Sequence, residues 1–352
     1  MILLKEAASP ANLQVELVDL ARRMEVSKIE DMLYFPKYFQ IETTRICNAK
    51  CPFCAIDIWD KSVPYMDDAL FQKIADELIQ YKDWVKFCDL QRSGEPLMDT
   101  KIYDRVKYLK DGGMKLMAVT TNASALNERN GRRLLQAGID EVMISIDSVE
   151  KERYEKLRIG LKYETVMHNI KTFFRLRDEI RPQCIVRVRG VSFHDPSNPD
   201  DVEDIRQWEA FWAHYRKPHD RIYMKRAHNW GNQKALDESP EYHWVYHPCI
   251  IPFSTMHITA MGHTALCPQD FDGTISFGDL RQNTIAEIWR GEKMQEMRRL
   301  HATGRRNEVQ LCQGCRVFDE EYSLERDKDV AADPTKSFDE MSVARKARKL
   351  VS

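Results

Sequence analysis

The feature that most constrains the fold is an alternation of strand-like and helix-like segments that begins at residue 38. Short runs rich in β-branched and aromatic residues alternate with longer stretches in which apolar residues recur at helical spacing. Because parallel strands need a connecting helix, this order predicts an α/β fold around a parallel sheet. Periodicity alone leaves open whether six units form an open doubly wound sheet or most of a barrel. The strand-like runs are 38–44, 84–90, 115–121, 141–146, 185–190 and 221–225.

Capping residues give the limits of several helices. Asp67 is a typical N-cap for one helix, and Asn198, followed by Pro199 in the first turn, marks the start of another. After about residue 235 the alternation stops. Residues 256–277 then predict short strands separated by glycines, and 284–300 predict a single helix.

Charge, hydropathy and cysteine content narrow the class of protein. Lys and Arg total 53 against 55 Asp and Glu, a net charge of −2, so we expect no nucleic-acid partner. No stretch approaches the length of an apolar membrane span, so we expect no membrane association. The nine cysteines are odd in number and bunched, which favours thiolate metal sites in a reducing cytosol over disulfides. We therefore expect a cytoplasmic protein.

Three cysteines, Cys47, Cys51 and Cys54, follow directly after the first strand-like run. Three close thiolates can hold three corners of a cubane iron–sulfur cluster, which leaves the fourth iron open to a small ligand. The alternative is a zinc site, which needs a fourth ligand. The nearby segment offers no histidine, since the first one after this group is His168.

The C-x3-C-x2-C spacing, with the aromatic Phe53 before the third cysteine, resembles the signature of the radical SAM superfamily. The approach to it, residues 41–48, is also similar to that family. The resemblance implies a 4Fe-4S cluster whose open iron binds S-adenosylmethionine (SAM). One electron then cleaves SAM to methionine and a 5′-deoxyadenosyl radical, which abstracts hydrogen from a substrate. It further implies a flavodoxin- or ferredoxin-type electron donor and a partial (β/α)6 TIM-like barrel.

In such a barrel the chemistry lies at the carboxyl ends of the strands. Gly94 and Glu95 resemble the family's GE motif, which contacts the methionyl ammonium of SAM. Ser145 and Arg158 match the serine and arginine that hold the methionyl carboxylate or the ribose. For each residue alone, the alternative is a solvated loop position. The expected SAM contacts are Phe53, Gly94, Glu95, Asn122, Ser145, Asp147 and Arg158.

Further candidates for catalysis follow the fifth and sixth strands. Arg189, Lys225 and Arg226 suit oxygen-rich or anionic groups, although each could instead pair with a surface carboxylate. Two further cysteines, Cys88 and Cys184, belong to no group of clustered cysteines. Each could be a small buried apolar residue or a donor of hydrogen to a substrate radical.

The remaining four cysteines, Cys249, Cys267, Cys312 and Cys315, could close a second site. Their spacing alone does not separate structural zinc from a fully ligated cubane. Beside the first motif, the arrangement resembles the short SPASM-type domain called twitch, which implies one auxiliary 4Fe-4S cluster. The resemblance therefore implies two 4Fe-4S clusters in total and a small C-terminal α+β SPASM/twitch domain.

The expected organisation has four parts. Residues 1–37 would form an N-terminal helical extension, 38–235 the radical SAM partial barrel, 236–318 the SPASM/twitch domain and 319–352 a charged C-terminal tail.

The resemblance favours a small-molecule substrate that is polyhydroxylated or amino-substituted, such as a sugar, an aminocyclitol or a related natural-product intermediate. Dehydrogenation, with the auxiliary cluster as electron acceptor, is the expected reaction. Radical epimerisation through a cysteine hydrogen donor, decarboxylation or elimination, and peptide modification remain alternatives. A non-enzymatic iron–sulfur electron-transfer protein is the alternative outside catalysis.

Overall fold

The computed structural model describes residues 17–18, 20–22, 24–193, 199–228, 230–231, 233, 248–313 and 315, without the side chains of 199–202 and 226. The predicted N-cap Asn198 and the predicted tail 319–352 lie outside the described residues. No helix of the described part is long and apolar enough to cross a membrane.

One eight-stranded sheet organises the described part of the chain, in the order β6-β5-β4-β3-β2-β1-β7-β8. All neighbours from β6 to β7 are parallel, and β8 pairs antiparallel with β7. The predicted α/β class with six parallel strand–helix units is confirmed. The strands are β1 (Tyr38–Ile41), β2 (Phe87–Asp89), β3 (Met117–Thr121), β4 (Glu141–Ser145), β5 (Ile185–Ser192), β6 (Arg221–Arg226), β7 (Thr255–Ile258) and β8 (Thr264–Ala265).

Helices follow the strands as the periodicity predicts. Asp67 caps α1 as predicted, because its carboxylate accepts the backbone N–H groups of Ala69 and Leu70. The predicted single helix over 284–300 is wrong: Gly291 is extended, at φ −64° and ψ 156°, and divides it into α8 and α9. The helices are α1 (Asp68–Gln80), α2 (Ile102–Asp111), α3 (Glu128–Gln136), α4 (Lys151–Leu157), α5 (Tyr163–Ile180), α6 (Pro199–Ala213), α7 (Ile251–Ser254), α8 (Ile285–Arg290) and α9 (Glu292–Ala302).

The strand β7 extends the sheet beyond the six predicted units. It pairs in parallel with β1 over four residues, with Tyr38 opposite Thr255 and Ile41 opposite Ile258. Sequence analysis predicts short strands in this region but does not predict that they join the main sheet. The segment that leads to Cys267 is therefore bonded directly to the strand that leads to Cys47.

The N-terminal segment packs on the other end of the chain. Leu17, Leu20 and Met24 are buried together with Phe253 and Ala302. Their shared burial agrees with the helical spacing of the apolar residues in this segment.

A buried ion pair fixes the start of β5 and β6. Arg177 on α5 is fully buried and forms two hydrogen bonds, of 2.8 and 2.9 Å, with the carboxylate of Asp220. The same carboxylate accepts the backbone N–H groups of Val186 and Lys217. Asp220 therefore joins three elements at one point.

We predict that Asp220→Ala lowers the free energy of unfolding by about 3–5 kcal/mol, because it removes the buried carboxylate that pairs with the fully buried guanidinium of Arg177. Denaturant unfolding of the variant and the parent measures the change. Asp178→Ala is the control, since Asp178 also pairs with Arg177 but is half exposed, and it should cost about 1 kcal/mol or less. Equal losses in the two variants would contradict this account.

Candidate active site

A cavity of 1220 Å³ opens along the inner face of the sheet and the carboxyl ends of its strands. Side chains at alternate strand positions line it, for example Phe87 and Asp89 of β2, or Arg187 and Arg189 of β5. This alternation follows from strand geometry, which points successive side chains to opposite faces. The cavity is therefore the interior of the partial barrel, at the place where the sequence predicts the chemistry.

The three predicted ligands of the first cluster line this cavity together. Three N–H donors lie near their sulfurs. The backbone N–H of Ala49 is 3.5 Å from Cys47 Sγ, Asn122 Nδ2 is 3.9 Å from the same sulfur, and Arg158 Nη1 is 3.9 Å from Cys51 Sγ. Donors directed at thiolate sulfurs are a normal feature of iron–sulfur sites. The residues present therefore fit a cluster held by Cys47, Cys51 and Cys54.

Gly94 brings the predicted GE segment into contact with the cysteine loop. Its φ is +69°, and a Cβ at this position would lie 2.5 Å from the carbonyl oxygen of Thr44 and 2.8 Å from that of Ile46. The next residue, Glu95, donates its backbone N–H to the Ile46 carbonyl at 2.8 Å. Only glycine allows this approach without a steric clash.

Glu95 is buried and its carboxylate is held rigidly at the cavity wall. It accepts hydrogen bonds from Thr121 Oγ1 at 2.6 Å, from Asn122 N at 2.7 Å and from Leu97 N at 3.2 Å. Burial raises the pKa of Glu95 to about 7, against the hydrogen bonds, which favour its charged form. A cationic group bound beside it would favour the carboxylate further.

Asn122 and Ser145 lie at the ends of β3 and β4 and line the same cavity. The Asn122 amide donates to Asn48 Oδ1 at 3.0 Å, which links the end of β3 to the cysteine loop. Both predicted SAM contacts therefore line the same cavity as the three thiols and Glu95.

Asp147 does not take the position that is expected of a SAM contact. It is buried but does not line the cavity, and its carboxylate forms a bidentate pair with Arg158, at 2.5 and 2.9 Å. Burial opposes the charge of Arg158, but Asp147 outweighs it and raises the arginine's pKa. The guanidinium lies over the Phe53 ring, 5.2 Å from its centre. Asp147 thus positions Arg158, while Arg158 and Phe53 face the cavity.

The basic residues of β5 and β6 differ in their surroundings. Arg187 is paired through two hydrogen bonds with Glu141, and Lys225 lies 5.9 Å from the Tyr223 ring centre. Arg189 lines the cavity between them. The side chain of Arg226 lies outside the described residues.

Asp89, at the end of β2, is a site residue that sequence analysis missed. It is buried, lines the cavity and accepts a hydrogen bond from Thr120 Oγ1 at 2.9 Å, whereas Oδ1 has no hydrogen-bond partner among the described residues. Burial raises the pKa of Asp89 to about 7. Its position directly after Cys88, at an inward-facing strand position, is the signal that could have found it.

Cys88 and Cys184 do not reach the cavity. Cys88 belongs to the core between the sheet and the helices, and Cys184, before β5, lies in the same core. Both are fully buried, and neither lines the cavity. The expectation that one of them could donate hydrogen to a substrate is therefore corrected, since strand alternation turns Cys88 outward.

The four remaining cysteines meet in the C-terminal part. Cys249, Cys267 and Cys312 pack in one cluster of residues. Burial raises the pKa of Cys267, and the neighbouring thiols of Cys312, Cys315 and Cys249 raise it further. Four thiols drawn from distant segments thus come close enough to interact electrostatically, which fits the predicted auxiliary cluster.

The cavity also reaches the segment that follows Cys267. Pro268 and Gln269, which follow Cys267 directly, line it. Arg92 donates hydrogen bonds to the carbonyl oxygens of Asp270 and Phe271, and Arg45 donates to Phe271 O at 3.0 Å. One cavity is thus lined both by the three N-terminal cysteines and by the two residues that follow Cys267.

The raised pKa of Asp89 predicts a specific dependence of stability on pH. The folded protein retains a proton that the unfolded chain, with an ordinary pKa of 3.8, has released. The stability gained from this proton is complete below pH 3.8, is partly present at pH 6 and is lost as pH rises through about 7. We predict that the free energy of unfolding falls by about 1 kcal/mol more in the parent than in Asp89→Asn between pH 6 and pH 8. Denaturant unfolding at both pH values measures this, and parallel profiles would contradict it.

Two family models match the chain. The model of the radical SAM superfamily matches residues 41–206, and that of an iron–sulfur cluster-binding domain, SPASM, matches residues 249–316. The first range contains Cys47, Cys51 and Cys54, and the second contains the four remaining ligands predicted from the sequence.

Named relatives agree with this family. The tungsten-containing aldehyde ferredoxin oxidoreductase cofactor-modifying protein of Pyrococcus furiosus is 31% identical over 298 residues, which cover 73% of this chain and 82% of that protein. A GTP 3′,8-cyclase of Lactiplantibacillus plantarum is 27% identical over 190 residues, 52% of this chain. The match spans about half of the cyclase, 51% of its length.

Solved structures share the fold. BtrN in complex with AdoMet and 2-DOIA has a TM-score of 0.54 at 17% identity, over 78% of this chain and 91% of that one. SuiB of Streptococcus suis, bound to the precursor peptide SuiA, has a TM-score of 0.59 at 14% identity, over 83% of this chain and 73% of that one.

The predicted partial TIM-like barrel is therefore confirmed, and so are the cofactors, two 4Fe-4S clusters and SAM. The convergence of the three N-terminal thiols at the barrel mouth, the two family matches and the Pyrococcus relative lead to one conclusion. The chain belongs to the radical SAM superfamily and carries a C-terminal SPASM iron–sulfur domain.

Proposed function

We propose that this enzyme dehydrogenates a small polyhydroxylated or amino-substituted substrate. The observation that carries the proposal is the single cavity lined both by Cys47, Cys51 and Cys54 and by Pro268 and Gln269, directly after Cys267. A substrate in this cavity would lie between the two cysteine groups. The expected division into a barrel over 38–235 and an auxiliary domain over 236–318 is part of the proposal.

When bound, SAM and the first cluster supply a radical that removes a hydrogen atom, and the auxiliary cluster supplies a one-electron acceptor. Cys47, Cys51 and Cys54 would hold the first cluster, and the other four predicted ligands would hold the second. Glu95, with its fixed carboxylate, would bind the SAM ammonium, and Asn122, Ser145 and Arg158 would bind its other polar groups.

Oxidation of a carbinol or an amine also releases a proton, which needs an acceptor. Asp89 suits this role because its pKa is raised to about 7. Near neutral pH its carboxylate can therefore both accept a proton and release it again. His228 suits it less. Burial and the charges of Arg189 and Lys225 lower its pKa to about 4, and its Nδ1 already accepts the Trp230 N–H at 3.4 Å.

Epimerisation would require a hydrogen donor on the other side of the substrate radical. The described residues that line the cavity include no thiol besides the three predicted cluster ligands. Since Cys88 and Cys184 lie in the outer core, dehydrogenation is the reaction that these residues support better.

The relatives and the similar structures are associated with several kinds of molecule. The two similar structures contain 2-DOIA in BtrN and a precursor peptide in SuiB, and one relative is named for GTP. The charged side chains on the cavity wall, among them Glu141, Arg187 and Arg189, favour a small hydrophilic molecule. A nucleotide is the second candidate, supported by the arginines on the cavity wall.

The experiment uses the anaerobically reconstituted enzyme with SAM and a flavodoxin or dithionite as reductant. Aminocyclitols, sugars, sugar phosphates, nucleotides and peptides are tested in turn. We expect 5′-deoxyadenosine together with an equal amount of a product that lacks two hydrogen atoms. A product of unchanged mass that contains solvent deuterium would contradict dehydrogenation, and turnover only with a peptide would contradict the substrate class.

Removal of the auxiliary cluster tests the acceptor role. Cys312→Ala should lower the iron content from about eight to about four per chain. It should retain cleavage of SAM and lose the oxidised product. Cys184→Ala is the matched control, since its thiol lies outside both groups, and it should keep both iron and product. Full product formation by Cys312→Ala with about four irons would exclude this role.

We further predict that Gly94→Ala loses the first cluster, because its Cβ would collide with backbone oxygens of the cysteine loop. Iron content and the electron paramagnetic resonance signal of the reduced protein measure the loss. Gly138→Ala is the control. It shares the strained positive φ, +93°, but its Cβ meets only the flexible side chain of Lys110. Equal iron contents in the two variants would refute the prediction.

A further inference from the structure

We propose that Arg189 forms an oxyanion subsite, which binds a phosphate or carboxylate group of the small substrate. The inference rests on the proposed function, since it names the substrate class that the same cavity takes. It depends on which charged side chains along the cavity wall already form ion pairs or hydrogen bonds with other residues.

The carboxylates inside the cavity are mostly committed to other partners. Glu141 accepts two hydrogen bonds from Arg187, Asp220 is paired with Arg177, and Glu95 is held by three donors of the barrel. None of these carboxylates is available to neutralise another cation in the cavity.

Arg189 differs from Arg177 and Arg187, which are both paired with carboxylates. It is half buried and lines the cavity, yet its guanidinium makes no hydrogen bond or ion pair with any described residue. An arginine on an internal wall without a counter-ion presents a planar fork of donors that matches a carboxylate or a phosphate in two-point contact.

Neighbouring groups increase the positive field at this position. The charges of Arg189 and Lys225 both act on His228, so the three side chains lie around one part of the cavity. The charge of Arg189 acts to lower the pKa of Asp89, but the two side chains form no ion pair. Burial keeps Asp89 partly protonated near neutral pH, so it offsets only part of the field.

The position in the sheet separates this subsite from the GE segment. Arg189 is opposite Ser145 on β4 and Tyr223 on β6, and its strand is three strands away from β2, which precedes Gly94. An anionic group bound there would orient the rest of a small substrate toward the strand ends. The competing occupant is the carboxylate of SAM itself, because Ser145 is a proposed SAM contact.

The test measures anion binding without turnover. The reconstituted enzyme, saturated with SAM, is titrated calorimetrically with inorganic phosphate and separately with acetate at constant ionic strength. We expect at least one anion to bind, and Arg189→Gln to weaken its binding about tenfold or more. Loss of phosphate binding identifies a phosphorylated substrate, and loss of acetate binding alone identifies a carboxylate.

Controls separate this role from damage to the fold. Arg206→Gln removes an exposed arginine outside the cavity and should leave anion affinity unchanged. Arg189→Lys keeps the charge without the fork, so its affinity should lie between those of the parent and Arg189→Gln. This variant decides the question if Arg189→Gln loses iron.

Three results would overturn the proposal: no binding of either anion by the parent, equal anion affinity in the parent and the Arg189 variants, or a loss of SAM affinity alone. Because the measurement needs no product, intact anion binding in an enzyme that fails to dehydrogenate would contradict only the proposed function.

Discussion

The arrangement of the site depends on a buried group of charges between the barrel and the segment after Cys267. Glu42 Oε2 lies 3.2 Å from Arg45 Nε, and Glu42 Oε1 lies 3.7 Å from Arg92 Nη1. Both guanidinium groups donate hydrogen bonds to the Phe271 carbonyl. All three side chains are fully buried. Such a network adds little net stability, because burial of its charges is costly, but loss of one member is strongly destabilising. Its consequence here is geometric: the loop that continues from Cys267 has one place against the ends of β1 and β2.

The cavity wall combines two kinds of polar residue. Glu95 and Arg158 are fixed by several partners, which suits groups that must hold one cofactor in one orientation. Asp89 and Arg189 retain unused hydrogen-bonding capacity among the described residues. Unused capacity inside a folded protein costs free energy unless a ligand later restores it. The fixed residues are those that the sequence motifs identify, and the open ones face the region left for a substrate.

Much of the fold and part of the site could be predicted from the sequence, because both rest on local patterns. Strand alternation, the Asp67 cap and the cysteine spacings are properties of short segments. The pairing of β7 with β1 depends on tertiary contacts that no local pattern contains. The same holds for Asp89, whose pKa is raised by burial against the effect of the Thr120 hydrogen bond, and for Asp147, whose carboxylate pairs with Arg158 and does not line the cavity.

The pairing of β7 also changes what the C-terminal part can do. Glu42 donates its backbone N–H to Ile258 O at 2.9 Å, and its carboxylate accepts the Ala260 N–H at 2.8 Å. The chain between Cys249 and Cys267 is thus bonded into the sheet from which the first cysteine loop emerges, rather than attached through a hinge. Sheet hydrogen bonds and the buried charges around Glu42 fix the distance between the two cysteine groups. Under the proposed function, a substrate that enters the cavity would meet two cysteine groups already in place, and recognition at residues such as Arg189 would decide which molecule is oxidised.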